Sequence, residues 1–303
     1  MQELAPIVLF AYNRPWHTKK TIEALKNNYL ASRSILYIFS DGAKTHHDKI
    51  AVNEVRNYLQ NINGFCNIII RQRKENYGLA KSVIEGIGEI LDIDDKVIVV
   101  EDDIVTSPMF LEFMNNSLEF YKDISLVYSI SGYSFPVIIP PKYYQDIYFL
   151  RRSSSWGWAT WKNCWNKAVW DGNVYKNFLM NKGIQNGFNR GGKDLSPMLY
   201  KQISRKIDSW AIRWAFTHYL NRAFCIFPVK SLVKNIGMDG TGVHFTRKTS
   251  KYDVELNESS SEIKFSNDLV VNEDIEQQIL RIVEPGLISK LKNRLEVLIK
   301  KST

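Results

Sequence analysis

The stretch Lys96-Val97-Ile98-Val99-Val100-Glu101-Asp102-Asp103 decides how the rest of the chain is read. Its four consecutive β-branched residues are stiff at χ1 and favour extended backbone. An unbroken apolar run of this kind suits a strand covered on both faces, as in a parallel sheet. Three adjacent carboxylates follow at once. They repel one another, and a strand end offers no helix dipole to compensate. In parallel α/β sheets the carboxyl ends of strands are where ligands bind. A hard divalent cation, Mg²⁺ or Mn²⁺, bridging to phosphate oxygens would relieve the repulsion. Alternation along the strand places Glu101 and Asp103 on one side and Asp102 on the other, so not all three are expected to touch a metal. Solvated acids preceding a helix are the plainer alternative, but Ser107 is already placed to cap that helix.

Working toward the N-terminus, strands and helices alternate. Pro6–Ala11 is a short apolar run, and Pro15 sits where a helix can start, with Ile22, Leu25 and Tyr29 at helical spacing over Thr18–Leu30. A strand is expected at Ser34–Phe39, ending in Ser40-Asp41-Gly42, and a helix at Asp48–Gln60. A third strand over Cys66–Arg71 and a helix over Leu79–Leu91 lead into the Lys96–Val100 strand. Ser107 and Pro108 then open a helix reaching about Tyr121. This alternation predicts an α/β fold with a mostly parallel central sheet flanked by helices. Past Leu126 the pattern loosens. Residues 126–150 and 222–245 read as short strands and loops, and 198–221 holds an aromatic helix. Residues 253–284, rich in acids, Ser and Asn, read as a solvated wrap or flexible arm. Residues 285–303 read as a basic amphipathic helix with Leu287, Leu291, Leu295 and Leu298 on one stripe. The expected organisation is one domain over 1–250, with halves 1–125 and 126–250 that the resemblance below implies to be the nucleotide-sugar and acceptor sides of a catalytic domain, followed by an acidic arm and basic helix over 251–303.

Outside the triplet, several residues are candidates for chemistry. Arg14, after the first strand, could pair with diphosphate oxygens. Asp41 could accept from a nucleobase or ribose, although an Asx turn before Gly42 explains it equally well. In Trp156-Gly157-Trp158-Ala159-Thr160-Trp161, indoles can stack on sugar rings and Gly157 lets backbone approach a ligand. Trp156, Gly157 and Trp158 are therefore the acceptor or sugar candidates, with core packing of some rings expected. Asp208, before Ser209-Trp210, could act as a general base toward an attacking hydroxyl, although a helix cap or a surface acid explains it equally well. His244 closes the Gly-rich run 237–244, which suits a lid over phosphates.

These residues in this order resemble glycosyltransferases of the GT-A (Rossmann-like) fold. More narrowly, they are similar to the N-acetylglucosaminyltransferase I type and to bacterial family-2-like sugar transferases. The resemblance is carried by Ala11-Tyr12-Asn13-Arg14, Asp41, Glu101-Asp102-Asp103, Asp208-Ser209-Trp210, Cys225-Ile226-Phe227-Pro228 and the 237–244 loop, and spans roughly residues 5 to 245. It implies that Arg14 and Asp41 contact the nucleotide, most often uridine. It implies that Asp103 binds Mn²⁺ or Mg²⁺, Asp102 the ribose and Glu101 the donor sugar hydroxyls. Asp208 would be the catalytic base of an inverting transfer from a nucleotide-sugar donor to a glycan or lipid-linked acceptor. The Trp-Gly-Trp segment resembles the bacterial relatives and implies surface polysaccharide assembly. The sequence departs from the eukaryotic pattern, which has an N-terminal anchor and two adjacent acids before the Trp.

Composition narrows the alternatives. The three cysteines, Cys66, Cys164 and Cys225, show no Cys-x-x-Cys spacing, so a disulfide framework and a zinc site are not expected. No apolar run reaches membrane-spanning length, and a cytoplasmic protein is expected, peripheral on the membrane if its basic helix 285–303 docks on anionic lipid. That helix packing on its own domain or in an oligomer is the equal alternative. The net charge of +8 comes without a nucleic-acid reading motif, so nucleic acid is not an expected partner. Two rival functions remain. A sugar-phosphate nucleotidyltransferase would need an early Gly-rich, Lys/Arg-bearing loop, which is absent. A non-catalytic carbohydrate-binding protein would have no need of intact acids at 101–103 and 208.

Overall fold

The computed structural model describes residues 3–240, 249–259 and 263–284. The chain begins β1 (Ile7–Ala11), α1 (Pro15–Lys26), β2 (Ile35–Ser40), α2 (Asp48–Leu59), β3 (Asn67–Gln72), α3 (Leu79–Ile93) and β4 (Lys96–Glu101). These are the elements the apolar periodicity predicts, shifted by a few residues at their ends. Then come β5 (Ile104–Thr106), α4 (Phe110–Tyr121), β6 (Val127–Ser131), β7 (Ile147–Leu150), β8 (Trp158–Trp161) and α5 (Lys162–Trp165). The chain continues through α6 (Asn173–Met180), α7 (Lys182–Phe188), α8 (Leu195–Ile203), α9 (Trp210–Leu220), β9 (Phe224–Pro228), β10 (Val233–Asn235) and α10 (Glu273–Val283).

The main sheet has eight strands in the order β3-β2-β1-β4-β8-β6-β9-β7. The pairings from β3 through β4 are parallel, β8 runs antiparallel between β4 and β6, β6 and β9 are parallel, and β7 is antiparallel at the far edge. Six strands thus share one direction. Every residue of β1 is buried, as are the four β-branched residues of β4. The edge strand β3 is only half-buried and ends in Arg71-Gln72, polar residues that discourage further pairing.

Strand order fixes where a ligand can sit. From β1 the chain steps outward to β2 and β3, then returns to place β4 on the other side of β1. The chain therefore departs in opposite directions from β1 and β4, which makes their carboxyl ends a topological switch point, where open α/β sheets form a ligand-binding crevice.

One apolar core runs from Ala5 to Val283 and takes in both halves of the sheet. Residues 253–284 differ from the expected solvated arm. Phe265 packs against Phe113, Phe120 and Tyr121, and the buried Ile275, Ile279 and Val283 seat α10 on the core. Their i, i+4, i+8 spacing outweighs the acidic composition, because the acids occupy the other face. A second, smaller cluster, including Tyr175, Phe178, Phe188, Leu199 and Phe216, holds α6 to α9 together. Arg152 ties this helical lobe to β7 through a two-pronged pair with Asp194, at 2.8 and 2.7 Å.

Candidate active site

The crevice is assembled from three loops. After β1, Arg14 occupies the position before α1, where its carbonyl accepts from the backbone N–H and hydroxyl of Thr18, and Pro15 starts the helix as expected. After β4 the chain turns at Asp102-Asp103 instead of staying extended. Both aspartates consequently face Arg14, at 2.8 Å for Asp103 Oδ2 and 4.0 Å for Asp102 Oδ1. The alternation expected for the triplet fails because the strand stops at Glu101. Two hydrogen bonds fix the turn: Tyr12 N–H donates to Asp102 Oδ2 at 3.3 Å, and the Thr21 hydroxyl donates to the Asp102 carbonyl at 2.9 Å.

The third loop runs into the Gly-rich stretch 237–244, expected from the sequence as a lid, and its start lies beside the aspartates. Strand β5 leaves the aspartates and pairs antiparallel with β10, bringing Asn235, Ile236 and Gly237 back beside them. Ile236 N–H donates to the Asp103 carbonyl at 2.8 Å, and Gly237 N–H donates to Asn235 Oδ1 at 2.7 Å. A Cβ at Gly237 would stand 2.0 Å from Asp103 Oδ2 and 2.8 Å from Arg14 Nη1, so only glycine allows this approach. Asp239 follows, with one carboxylate oxygen 3.8 Å from Arg14 Nη2 and the other 3.0 Å from His17 Nε2. His17, Gly237 and Asp239 are thus site residues that sequence reasoning passed over. Their only signal was membership of the Gly-rich run and of the first turn after Arg14.

Burial pushes the Glu101 carboxyl up to about 8, with repulsion from Asp103 and Asp102 adding to it. Burial and the charge of Asp103 push Asp102 up to about 7. Burial, then the neighbouring Arg14 guanidinium, lower His17. Asp103 Oδ1 is buried with no hydrogen-bond partner among the described residues. An orphaned carboxylate oxygen beside a second aspartate fits a divalent cation of hard-oxygen preference. Among the described residues no group of three or more His, Cys, Asp or Glu side chains forms a ready-made metal cage. That is compatible with Mg²⁺-type binding, in which one or two carboxylates share the ion with substrate phosphates.

The remaining candidates divide. Glu101 ends β4, and the Trp210 side chain beside it favours its charged form. Asp208 lies two residues before Trp210, within about 7 Å of it along the backbone. It is not the helix cap, since Ser209 Oγ accepts from Ile212 N–H. Its carboxylate is 65% exposed and 3.2 Å from Arg213 Nη2, leaving it accessible to an incoming hydroxyl. Asp41 sits at the end of β2, where its oxygens accept from the N–H groups of Gly42, Tyr77 and Gly78. The structure therefore gives it a loop-holding task beside any contact with a nucleotide.

The tryptophan segment is placed differently from the sugar platform expected of it. Trp158 is fully buried, stacked on Trp210 at 5.2 Å and packed with Trp165 and Trp214. Its faces are taken by other indoles and cannot meet a sugar ring. Gly157 has φ +53°, and a Cβ there would meet Val233 at 2.8 Å, so its glycine character serves packing. Trp156 is part-buried against Tyr133 and Tyr252. His244 and the helix 285–303 lie outside the described residues. No helix among the described residues is long and apolar enough to cross a membrane.

No family model and no curated protein matches the chain. Solved structures show distant likenesses. A mannosyltransferase from Pyrobaculum calidifontis, in complex with GDP-Man and Mn²⁺, is 12% identical over 43% of this chain and 38% of its own, with a TM-score of 0.29. A fragment of S. aureus TarS, residues 1–349, is 10% identical over 78% of this chain and 62% of its own, at TM-score 0.41. A second TarS structure gives 10% identity over 84% and 41%, at 0.42. The chain thus spans less than two thirds of each of these structures. Likenesses this distant establish neither a shared fold nor a shared activity.

Proposed function

We propose that the protein is a metal-dependent glycosyltransferase of the GT-A type, moving a sugar from a nucleotide-diphosphate donor to an acceptor hydroxyl. The observation that carries this reading is the Asp102-Asp103 turn at the β1/β4 crevice, with Arg14 on one oxygen of Asp103 and the other without a hydrogen-bond partner among the described residues. Anionic diphosphate and a divalent cation together complete such a site, whereas either alone leaves charge unbalanced. Asp103 would hold Mn²⁺ or Mg²⁺, which when bound supplies Lewis-acid stabilisation of the departing diphosphate. Arg14 adds a fixed guanidinium for the same developing charge. Asp102 would meet the ribose and Glu101 the sugar hydroxyls, with the Trp210 side chain beside Glu101.

Transfer then needs a base on the side away from the diphosphate. Asp208 takes the proton of the acceptor hydroxyl as its oxygen bonds to the anomeric carbon and the bond to the diphosphate breaks. A single displacement of this kind inverts the anomeric centre. A uridine donor, a glycan or lipid-linked acceptor and a place in surface polysaccharide assembly follow the family resemblance in the sequence. A panel of nucleotide-sugars incubated with and without Mn²⁺ tests the reading. Nucleoside diphosphate should be released from at least one donor only when Mn²⁺ is present. Silence across the panel contradicts the proposal, and pyrophosphate release from a nucleoside triphosphate would favour the nucleotidyltransferase instead.

A further inference from the structure

His17 is anchored in the first turn of α1, two residues past Pro15, and is only 8% exposed. The Trp16 ring packs edge-on against it at 4.8 Å. Its Nε2 stands 3.0 Å from Asp239 Oδ2. An ionised carboxylate only accepts, so Nε2 carries the proton and His17 is the donor. Burial and the Arg14 guanidinium lower His17, so it donates as a neutral ring. The backbone around Asp239 is fixed by other bonds. Ile236 N–H donates to the Asp103 carbonyl at 2.8 Å, and Thr249 N–H to the Met238 carbonyl at 3.3 Å. Loss of His17 would therefore release the Asp239 side chain while the start of the loop stays in place.

That side chain is a competitor for Arg14. Its second oxygen is 3.8 Å from Arg14 Nη2, close enough to pair electrostatically but beyond hydrogen-bond length. Arg14 Nη1 meanwhile meets Asp103 Oδ2 at 2.8 Å. Closing the Asp239 gap by about 1 Å would give the guanidinium a second charged hydrogen bond. An arginine claimed by two carboxylates attracts a diphosphate less, because the added negative charge repels the ligand at the same point. We infer that His17 is a positioning residue for the donor diphosphate: it holds Asp239 short of Arg14, so that the guanidinium stays aligned on Asp103 and its charge serves the phosphate oxygens. This inference rests on the proposed function and adds to it a residue that acts only through Asp239.

The test is titration calorimetry of the full-length protein with UDP and with GDP, each in the presence of Mn²⁺. The proteins compared are the wild type, His17→Ala, His17→Gln, and His17→Ala combined with Asp239→Asn, each shown to be folded by urea unfolding. His17→Ala should weaken diphosphate binding about tenfold, the size of one charged hydrogen bond in a partly exposed pair. Glutamine keeps an N–H donor at similar reach, so His17→Gln should bind within about threefold of the wild type. The double variant separates positioning from mere support. Removing the Asp239 charge removes the competitor, so most of the lost affinity should return, whereas a purely structural contact, once broken, gains nothing from a second deletion. If His17→Ala unfolds, His17→Phe fills the same space without a donor and is read by the same criteria. An affinity of the single variant within about twofold of wild type, or a double variant as weak as the single one, overturns the inference and leaves the transferase reading standing. A wild type that binds neither nucleotide with Mn²⁺ overturns both.

Discussion

Gly237→Ala is the sharpest perturbation of the crevice. The added Cβ would lie 2.0 Å from Asp103 Oδ2, so the carboxylate must retreat by about 1.5 Å to reach ordinary contact. The same Cβ meets Arg14 Nη1 at 2.8 Å, which blocks the guanidinium from following. The 2.8 Å pair between Arg14 and Asp103 is then lost or skewed. A charged hydrogen bond of this type contributes about 1.5–3 kcal/mol, and part of that returns if the loop shifts. Stability should accordingly fall by only about 1–2 kcal/mol. A displacement near 1 Å at a reacting centre costs about a hundredfold in rate. Donor turnover with Mn²⁺ should therefore drop far more than urea stability does. Gly88→Ala is the control: it lies inside α3 with nothing within 4 Å of the new Cβ. It should raise stability by about 0.5–1 kcal/mol through helix propensity and leave turnover unchanged. Equal turnover in Gly237→Ala and wild type would refute the placement of Asp103 at the reacting centre.

Asp208→Asn should lower transfer by about a hundredfold to ten-thousandfold while leaving stability within about 1 kcal/mol, because its carboxylate is 65% exposed where it meets Arg213; a folded variant with full activity removes it as the base. Asp194→Ala strands Arg152, whose partner it is in a mostly buried pair, and should cost about 3 kcal/mol or more in urea unfolding, with α6–α9 opening first by hydrogen exchange. Little change would mean that the helical lobe is held by its aromatic cluster alone. His218 is fully buried, and burial lowers it to about 4. A histidine held neutral in the fold contributes stability that is present above about pH 6.5 and lost as pH falls toward about 4. The loss should be on the order of 2–3 kcal/mol and should be absent in His218→Gln; equal acid sensitivity of the two proteins would contradict it.

The first half of the fold was readable because its elements follow one another in space much as they do in sequence. Apolar runs and helical stripes sufficed for β1 to β4 and α1 to α3. The second half reorders its strands to β4-β8-β6-β9-β7, and no local pattern records which short segment pairs with which. The site shows the same division. Arg14 and Asp103 follow strands and could be named, but the β5–β10 ribbon that delivers Gly237 and Asp239 consists of two three-residue strands far apart in sequence. Tryptophans were ambiguous for a different reason: an indole that stacks on a sugar and one that stacks on Trp210 have the same sequence signature, and Trp158 proved to be the second kind. Residues 253–284 misled through composition, because an average over the segment hides the apolar stripe of α10.

The central claim is that the Asp102-Asp103 turn, with Arg14, receives a metal and a nucleotide diphosphate together. A crystal grown with UDP and Mn²⁺, with anomalous scattering recorded for manganese, tests it most directly. The account predicts a manganese peak in coordination range of Asp103, with diphosphate oxygens bridging the ion and Arg14. A manganese peak elsewhere, or a nucleotide bound with no contact to Asp103 or Arg14, would contradict it.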